Sequence, residues 1–172
     1  MSSNRSASAL ARDDTRVSEH APSEYEKFSY YNGIAGNNDD HPDLVYRSDY
    51  LTRPFSKPGG RFPHIPVKSV RGVFGTRLNG VWDVVGLKIR DTMKAKKVNW
   101  SSIGLARFYT HGPPGEEDMG SLGPVVIWMG VPPGSMSAET AHEVSQEFLA
   151  ILLENQVNDV VVEWREAVVV RL

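Results

Sequence analysis

The apolar positions of this chain change period several times after residue 66, and each change marks an element. From Val125 to Val131 the sequence is almost uninterruptedly apolar and rich in β-branched and aromatic types, which predicts a strand covered on both faces. Pro132 and Pro133 end it, because proline has no amide proton to give a sheet ladder. Gly134 and Ser135 supply a turn. Ser137 stands where a helix N-cap belongs, with Glu139 in the first turn, where the helix dipole favours an anion. Ala141, Val144, Phe148, Ile151 and Leu152 then draw one apolar stripe along a helix. Burying each large member stabilises the fold by about 1.5–3 kcal/mol; without that packing, a helix of this length is marginal in water. Val160, Val162 and Trp164 alternate with Val161, Glu163 and Arg165, as in a strand with one protected face. Two strands joined by one such helix are expected to lie parallel, with a right-handed crossover.

Upstream, Trp82, Val85, Ile89 and Met93 mark the buried stripe of a helix over residues 79–97, with Asn79 as its candidate cap and Gly86 in its interior. This helix carries five basic residues against two acidic ones, whereas the later helix carries four glutamates and no lysine or arginine. Opposite charges predict that the two helices are neighbours on one face of the sheet. Residues 103–110 read as a strand, and the Gly- and Pro-rich stretch from His111 joins it to the next strand as an antiparallel hairpin. The expected fold class is α+β: two helices packed on a small mixed sheet containing one right-handed β-α-β unit. If residues 67–74 join as a first strand, the order becomes that of a ferredoxin-like fold.

The domain of residues 67–172 is preceded by two stretches without long periodicity. Residues 41–66 hold five prolines together with Gly59 and Gly60, but Leu44, Val45, Tyr46, Phe55 and Ile65 are too apolar for a free linker. They are expected to form an extended strap packed on the domain. Residues 1–40, dominated by serine and charge, are expected to be a disordered tail. Tyr25, Phe28, Tyr30 and Tyr31 interrupt that composition. They read either as a segment lying loosely on the domain or as a short partner-binding motif.

Composition narrows the classes of function. A chain of 172 residues, 40% hydrophobic, suffices for one domain with tails. No apolar run approaches the length of a bilayer, and the N-terminus lacks the apolar core of a secretory signal, so a soluble, intracellular, cytoplasmic protein is expected. A net charge of −2 offers no field to draw nucleic acid or anionic lipid. The absence of cysteine removes disulfides, thiolate zinc sites and cysteine nucleophiles together.

Candidate chemistry is sparse. His142-Glu143 lacks the second histidine of the metalloprotease helix. His111 with Glu116, Glu117 and Asp118 reads as a solvated acidic loop before it reads as a cation site. Gly134 and Ser135, beside a helix start, are the candidate ligand loop, although ordinary capping explains the residues around them. Gly120-Ser121-Leu122-Gly123 is not a nucleophile elbow. Lys94, Lys96 and Lys97 beside Trp100 combine charge with a stacking ring, but the helix terminus already explains the lysines and disfavours nucleic acid as a partner. Trp164, Arg165 and Glu166 are the candidate partner surface, weighed against a tryptophan that simply packs inward. No catalytic residue, cofactor site or metal site is assigned.

Three blocks carry a resemblance: Arg71-Gly-Val-Phe-Gly-Thr-Arg-Leu-Asn-Gly-Val-Trp-Asp, Pro124-Val-Val-Ile-Trp-Met-Gly-Val-Pro-Pro-Gly-Ser-Met-Ser-Ala, and Val161-Val-Glu-Trp-Arg-Glu-Ala-Val. With Leu44-Val-Tyr-Arg, they resemble a group of uncharacterised proteins of mushroom-forming fungi, in which such a region precedes a trypsin-like serine-protease domain. Residues 41–172 carry the likeness. No Gly-Asp-Ser-Gly is present, so no catalytic role transfers to any residue here. The resemblance implies an accessory module, and the ending at Arg171-Leu172 is expected to be followed by more protein. The leading expectation is a non-enzymatic interaction or regulatory module with a protein partner. The alternative is a small-molecule-binding domain or small enzyme with its site near Gly134 and Ser135.

Overall fold

Both edges of the strand that closes the β-α-β unit are occupied, and this sets the architecture. A computed structural model describes residues 18–34, 41–60 and 64–168. Its strands are β1 (Leu44–Arg47), β2 (Lys68–Arg71), β3 (Ser102–Thr110), β4 (Ser121–Val131) and β5 (Val160–Glu166). They form one mixed sheet in the order β1-β5-β4-β3-β2. β4 and β5 run parallel, in register from Val125 opposite Val160 to Val131 opposite Glu166. The other three pairings are antiparallel, including the β3–β4 hairpin. The helices are α1 (Glu24–Ser29), α2 (Arg77–Ala95) and α3 (Ala138–Glu154). The class is α+β, as the hydrophobic pattern predicts.

The ferredoxin-like order does not form. That arrangement splits the β-α-β unit with an intervening strand, whereas β4 and β5 are direct neighbours and β2 lies at the far edge, on β3. The strap supplies the reason. Its residues Leu44–Arg47, all buried, make β1, which takes the remaining edge of β5.

α2 and α3 cover one face of the sheet. Val85, Ile89 and Met93 of α2 and Val144, Phe148 and Leu152 of α3 pack on Val125, Ile127, Met129, Val162 and Trp164. Ser137 caps α3 as expected, its Oγ accepting from the Thr140 amide at 3.1 Å. α2 begins two residues ahead of Asn79 because Thr76 is its N-cap. Lys96 of the basic helix end pairs with Glu147 of the acidic helix at 2.8 Å, which is the attraction that their charges predict.

The opposite face of the sheet is covered by residues 18–34. Tyr30, Tyr31 and Ile34 pack on Ala106, Phe108, Val126, Trp128 and Val161. The expectation of disorder over residues 1–40 therefore does not hold for 18–34; residues 1–17 and 35–40 lie outside the described ones. The expectation of a one-sided β5 also fails, since Val161 and Glu163 are buried as well as Val162 and Trp164. The physical reason is common to both corrections: β4 is apolar on both faces, and its second face needs a cover. Ser23 caps α1 through the Glu26 amide at 3.1 Å. Lys68 N donates to Asn32 O at 2.8 Å, tying the segment to the sheet edge. Gly33, at φ +92°, stands where a Cβ would collide with Val67 and the Lys68 backbone. At the other end, His20 stacks on His142 of α3 with centroids 3.8 Å apart, and Tyr46 bonds His142 Nδ1 at 2.8 Å. Among the described residues, no helix is long and apolar enough to cross a membrane.

Candidate functional site

Glu163 lies mid-strand in β5, flanked on the same face by Val161 and Arg165, and points at the segment that covers the sheet. It is 2% exposed. A bare carboxylate at that depth is costly unless hydrogen-bonded, and two tyrosines meet the need. Tyr31 donates to Oε1 at 2.8 Å and Tyr30 to Oε2 at 2.9 Å. Tyr30 also accepts on its carbonyl oxygen from Lys68 Nζ at 2.7 Å. One residue thus links β5 in the sheet interior with β2 at its edge. The Lys68 ammonium sits 3.1 Å from the centroid of the Tyr30 ring, and the Arg47 guanidinium 5.1 Å from it. Arg47, on β1, pairs with Glu26 of α1 at 2.5 Å and with Asp49 at 3.1 Å.

Burial shifts these groups strongly. It pushes the Glu163 carboxyl up, while the Lys68 charge and the two tyrosine hydroxyls pull it partly back. It brings the Lys68 ammonium down to about 8 against the opposing pull of Glu163. Burial, followed by the Glu163 charge, raises both tyrosines well above the ordinary phenol value. For Arg47 burial is the largest single influence and acts downward, but Glu26, Tyr30 and Asp49 together outweigh it and hold the guanidinium charged.

The cluster forms one wall of a cavity of about 200 Å³. Lys68, Glu163, Arg47 and Tyr30 supply the polar side; Phe108 and Val126 of the sheet supply an apolar floor; Asp49, Arg53, Pro54 and Phe55 of the strap close over it. Perturbed ionisable groups that converge on a cavity are the arrangement expected of a functional site.

Of the residues singled out from sequence, Tyr30 and Tyr31 of the aromatic motif join this cluster, whereas the candidate ligand loop and partner surface lie elsewhere. Trp164 is fully buried, stacked on Phe148 with centroids 5.9 Å apart, its Nε1 donating to Ser145 Oγ at 2.8 Å. It cannot anchor a partner surface. Arg165 faces the opposite side of the sheet and lies 3.3 Å from the Trp128 ring centroid. Glu166 accepts from Gly134 N at 3.3 Å. Ser135 Oγ donates to Pro132 O at 2.6 Å, closing the turn. Gly134 and Ser135 line neither the Lys68 cavity nor the apolar groove of about 370 Å³ beside Met136 and Ala138. His111 bonds Ser69 Oγ, and Glu117 accepts from the Gly115 amide at 3.1 Å. Lys96 is engaged by Glu147, and Trp100 packs on the core.

Comparison with known proteins finds no matching family model, curated protein or solved structure.

Sequence reasoning therefore missed Tyr30, Tyr31, Lys68, Arg47 and Glu163 as a group. Two signals pointed toward them. The apolar second face of β4 required a cover, and the tyrosines near residue 30 were the apolar residues in a polar stretch able to provide one.

Proposed function

We propose that this domain is a binding module for a small carboxylate-bearing molecule, received in the cavity between the sheet and the strap. Lys68 carries the reading. It is an ammonium 7% exposed on the cavity wall, bonded to a carbonyl, with no carboxylate in ion-pair contact among the described residues. A buried cation lacking a direct counter-charge is costly, and an entering carboxylate would provide one. Arg53 adds a second cation at the strap, while Phe55 and Phe108 offer apolar surface to the rest of the ligand. The volume is below the range for drug-sized ligands and suits a molecule of few carbons. Asp49 and Glu163 in the same lining disfavour multiply charged anions.

This reading keeps the non-enzymatic role expected from sequence and moves the site from Gly134 and Ser135 to Lys68. In the accessory role that the resemblance implies, ligand occupancy would govern how the module meets a protein partner. A second reading has its own support: both oxygens of Glu163 already accept tyrosine hydroxyls, so the cluster also acts as a latch for residues 18–34.

Calorimetric titration with acetate, lactate, pyruvate and benzoate, against ethanol and methylamine as controls, tests the proposal. Saturable binding of at least one carboxylate is expected, weakened about tenfold or more by Lys68→Met and unchanged by Ser135→Ala, as the loss of a charge-assisted contact requires. Failure of every carboxylate to bind overturns it.

A further inference from the structure

We infer that Lys68 is a covalent attachment site, its amine forming an imine with the carbonyl carbon of a short 2-oxo acid held in this cavity. The inference rests on the carboxylate reading above and adds to it a reacting atom. Nζ is held in place by its bond to Tyr30 O, which leaves the rest of the nitrogen for the cavity. The rings of Tyr30 and Phe55, with centroids 3.1 and 5.3 Å from Nζ, flank it and limit access of water. In a 2-oxo acid the carbonyl carbon is bonded directly to the carboxylate. A carboxylate drawn to Arg53 and Lys68 therefore brings the electrophile to the amine.

The step balances without a co-reactant. The Nζ lone pair forms the C–N bond, the carbonyl π pair moves to oxygen, and that oxygen takes a proton. The C–O bond then breaks as the oxygen takes a second proton and leaves as water, and the nitrogen lone pair closes the C=N bond. Of the three protons of the starting ammonium, two end on the departing water and one stays on the imine nitrogen. Nothing is oxidised or reduced. The protonated imine keeps a positive charge beside the carboxylate, so covalent capture retains the ion pair. Burial, which brings the Lys68 ammonium down to about 8, supplies neutral amine near that pH.

The test treats the full chain with pyruvate and cyanoborohydride at pH 8, then reads intact mass and peptide maps. A single adduct on Lys68 is expected, absent from Lys68→Arg, while Lys88 and Lys94 on the exposed helix stay unmodified. Lys68→Arg should still bind lactate, which shows that the site survives without the reactive amine. Lactate binding to the wild type without a Lys68 adduct from pyruvate, or labelling of Lys68 no greater than that of surface lysines, overturns the inference and leaves the binding reading standing. Absence of binding by both lactate and pyruvate overturns both.

Discussion

Arg47 and Glu163 stand directly opposite each other on the antiparallel β1–β5 ladder, and both are hydrogen-bonded to the 18–34 segment, Arg47 as donor and Glu163 as acceptor. Arg47 turns to Glu26 and Asp49, while Glu163 takes the hydroxyls of Tyr30 and Tyr31. The cross-strand neighbours are thus both spent on holding residues 18–34 against the sheet. Glu163→Ala should cost about 3–5 kcal/mol, because it strands two buried phenols without their acceptor and opens a cavity beneath them. Glu163→Gln keeps the shape and an acceptor, and should cost about 1–3 kcal/mol. Urea denaturation of the two variants measures both. Equal, negligible losses would show that the carboxylate is not buried as described.

The Arg47–Glu26 pair predicts a non-additive cycle. Removing either partner leaves the other charge buried, at a cost of about 3–5 kcal/mol. Replacing both, as Arg47→Met with Glu26→Leu, should recover most of that loss, since a buried pair is often matched by apolar residues of similar volume. Denaturation midpoints of the two single variants and the double variant decide it. Strict additivity would mean that the two side chains do not interact.

Trp164 offers a test that separates packing from recognition. Its ring lies between α3 and the sheet, away from the Lys68 cavity. Trp164→Ala should lose about 3–5 kcal/mol of stability. Trp164→Phe should cost less and leave carboxylate binding unchanged. A binding defect in a stable Trp164→Phe protein would return this residue to the functional site.

Much of the scaffold was legible in sequence, and little of the site was. The β4–α3–β5 unit announces itself because an unbroken apolar strand, a serine cap and a 3.6-residue stripe all agree. α1 has six residues, too few for a stripe to repeat, and β1 has four, between prolines. Glu163 reads in sequence as the solvent half of an alternating strand. Only its partners reverse that, and Tyr30 lies 133 residues away along the chain. Burial of a charge is a property of such long-range pairs, which local periodicity does not encode.

The N-terminal cover predicts what truncation does. A chain starting at His41 lacks Tyr30, Tyr31 and Ile34, and uncovers Phe108, Val126, Trp128 and Val161. It also leaves Glu163 and Lys68 without their principal hydrogen-bond partners. Such a chain should bind a hydrophobic dye and lose protection of β4 and β5 amides in hydrogen exchange. Unchanged protection would show that residues 18–34 contribute nothing to the fold.

Glu163 and Lys68 make opposite contributions to the pH dependence of stability. The folded Glu163 holds its proton more tightly than the unfolded one, so its contribution is greatest at low pH and is lost as pH rises through the raised folded value. The folded Lys68 holds its proton less tightly, releasing it near pH 8 rather than at its ordinary 10.5. Between those values the unfolded state binds more protons, so stability attributable to Lys68 rises with pH, by on the order of 3 kcal/mol over the whole window. Above pH 10 the buried tyrosines oppose this, because the unfolded chain ionises them first. The tyrosine effect is common to wild type and Lys68→Met, so the difference between their unfolding free energies isolates the lysine. That difference should shift in favour of the wild type from pH 8 to pH 10. A difference independent of pH across that interval would place the Lys68 amine in water, and the cavity wall it defines would lose its buried charge.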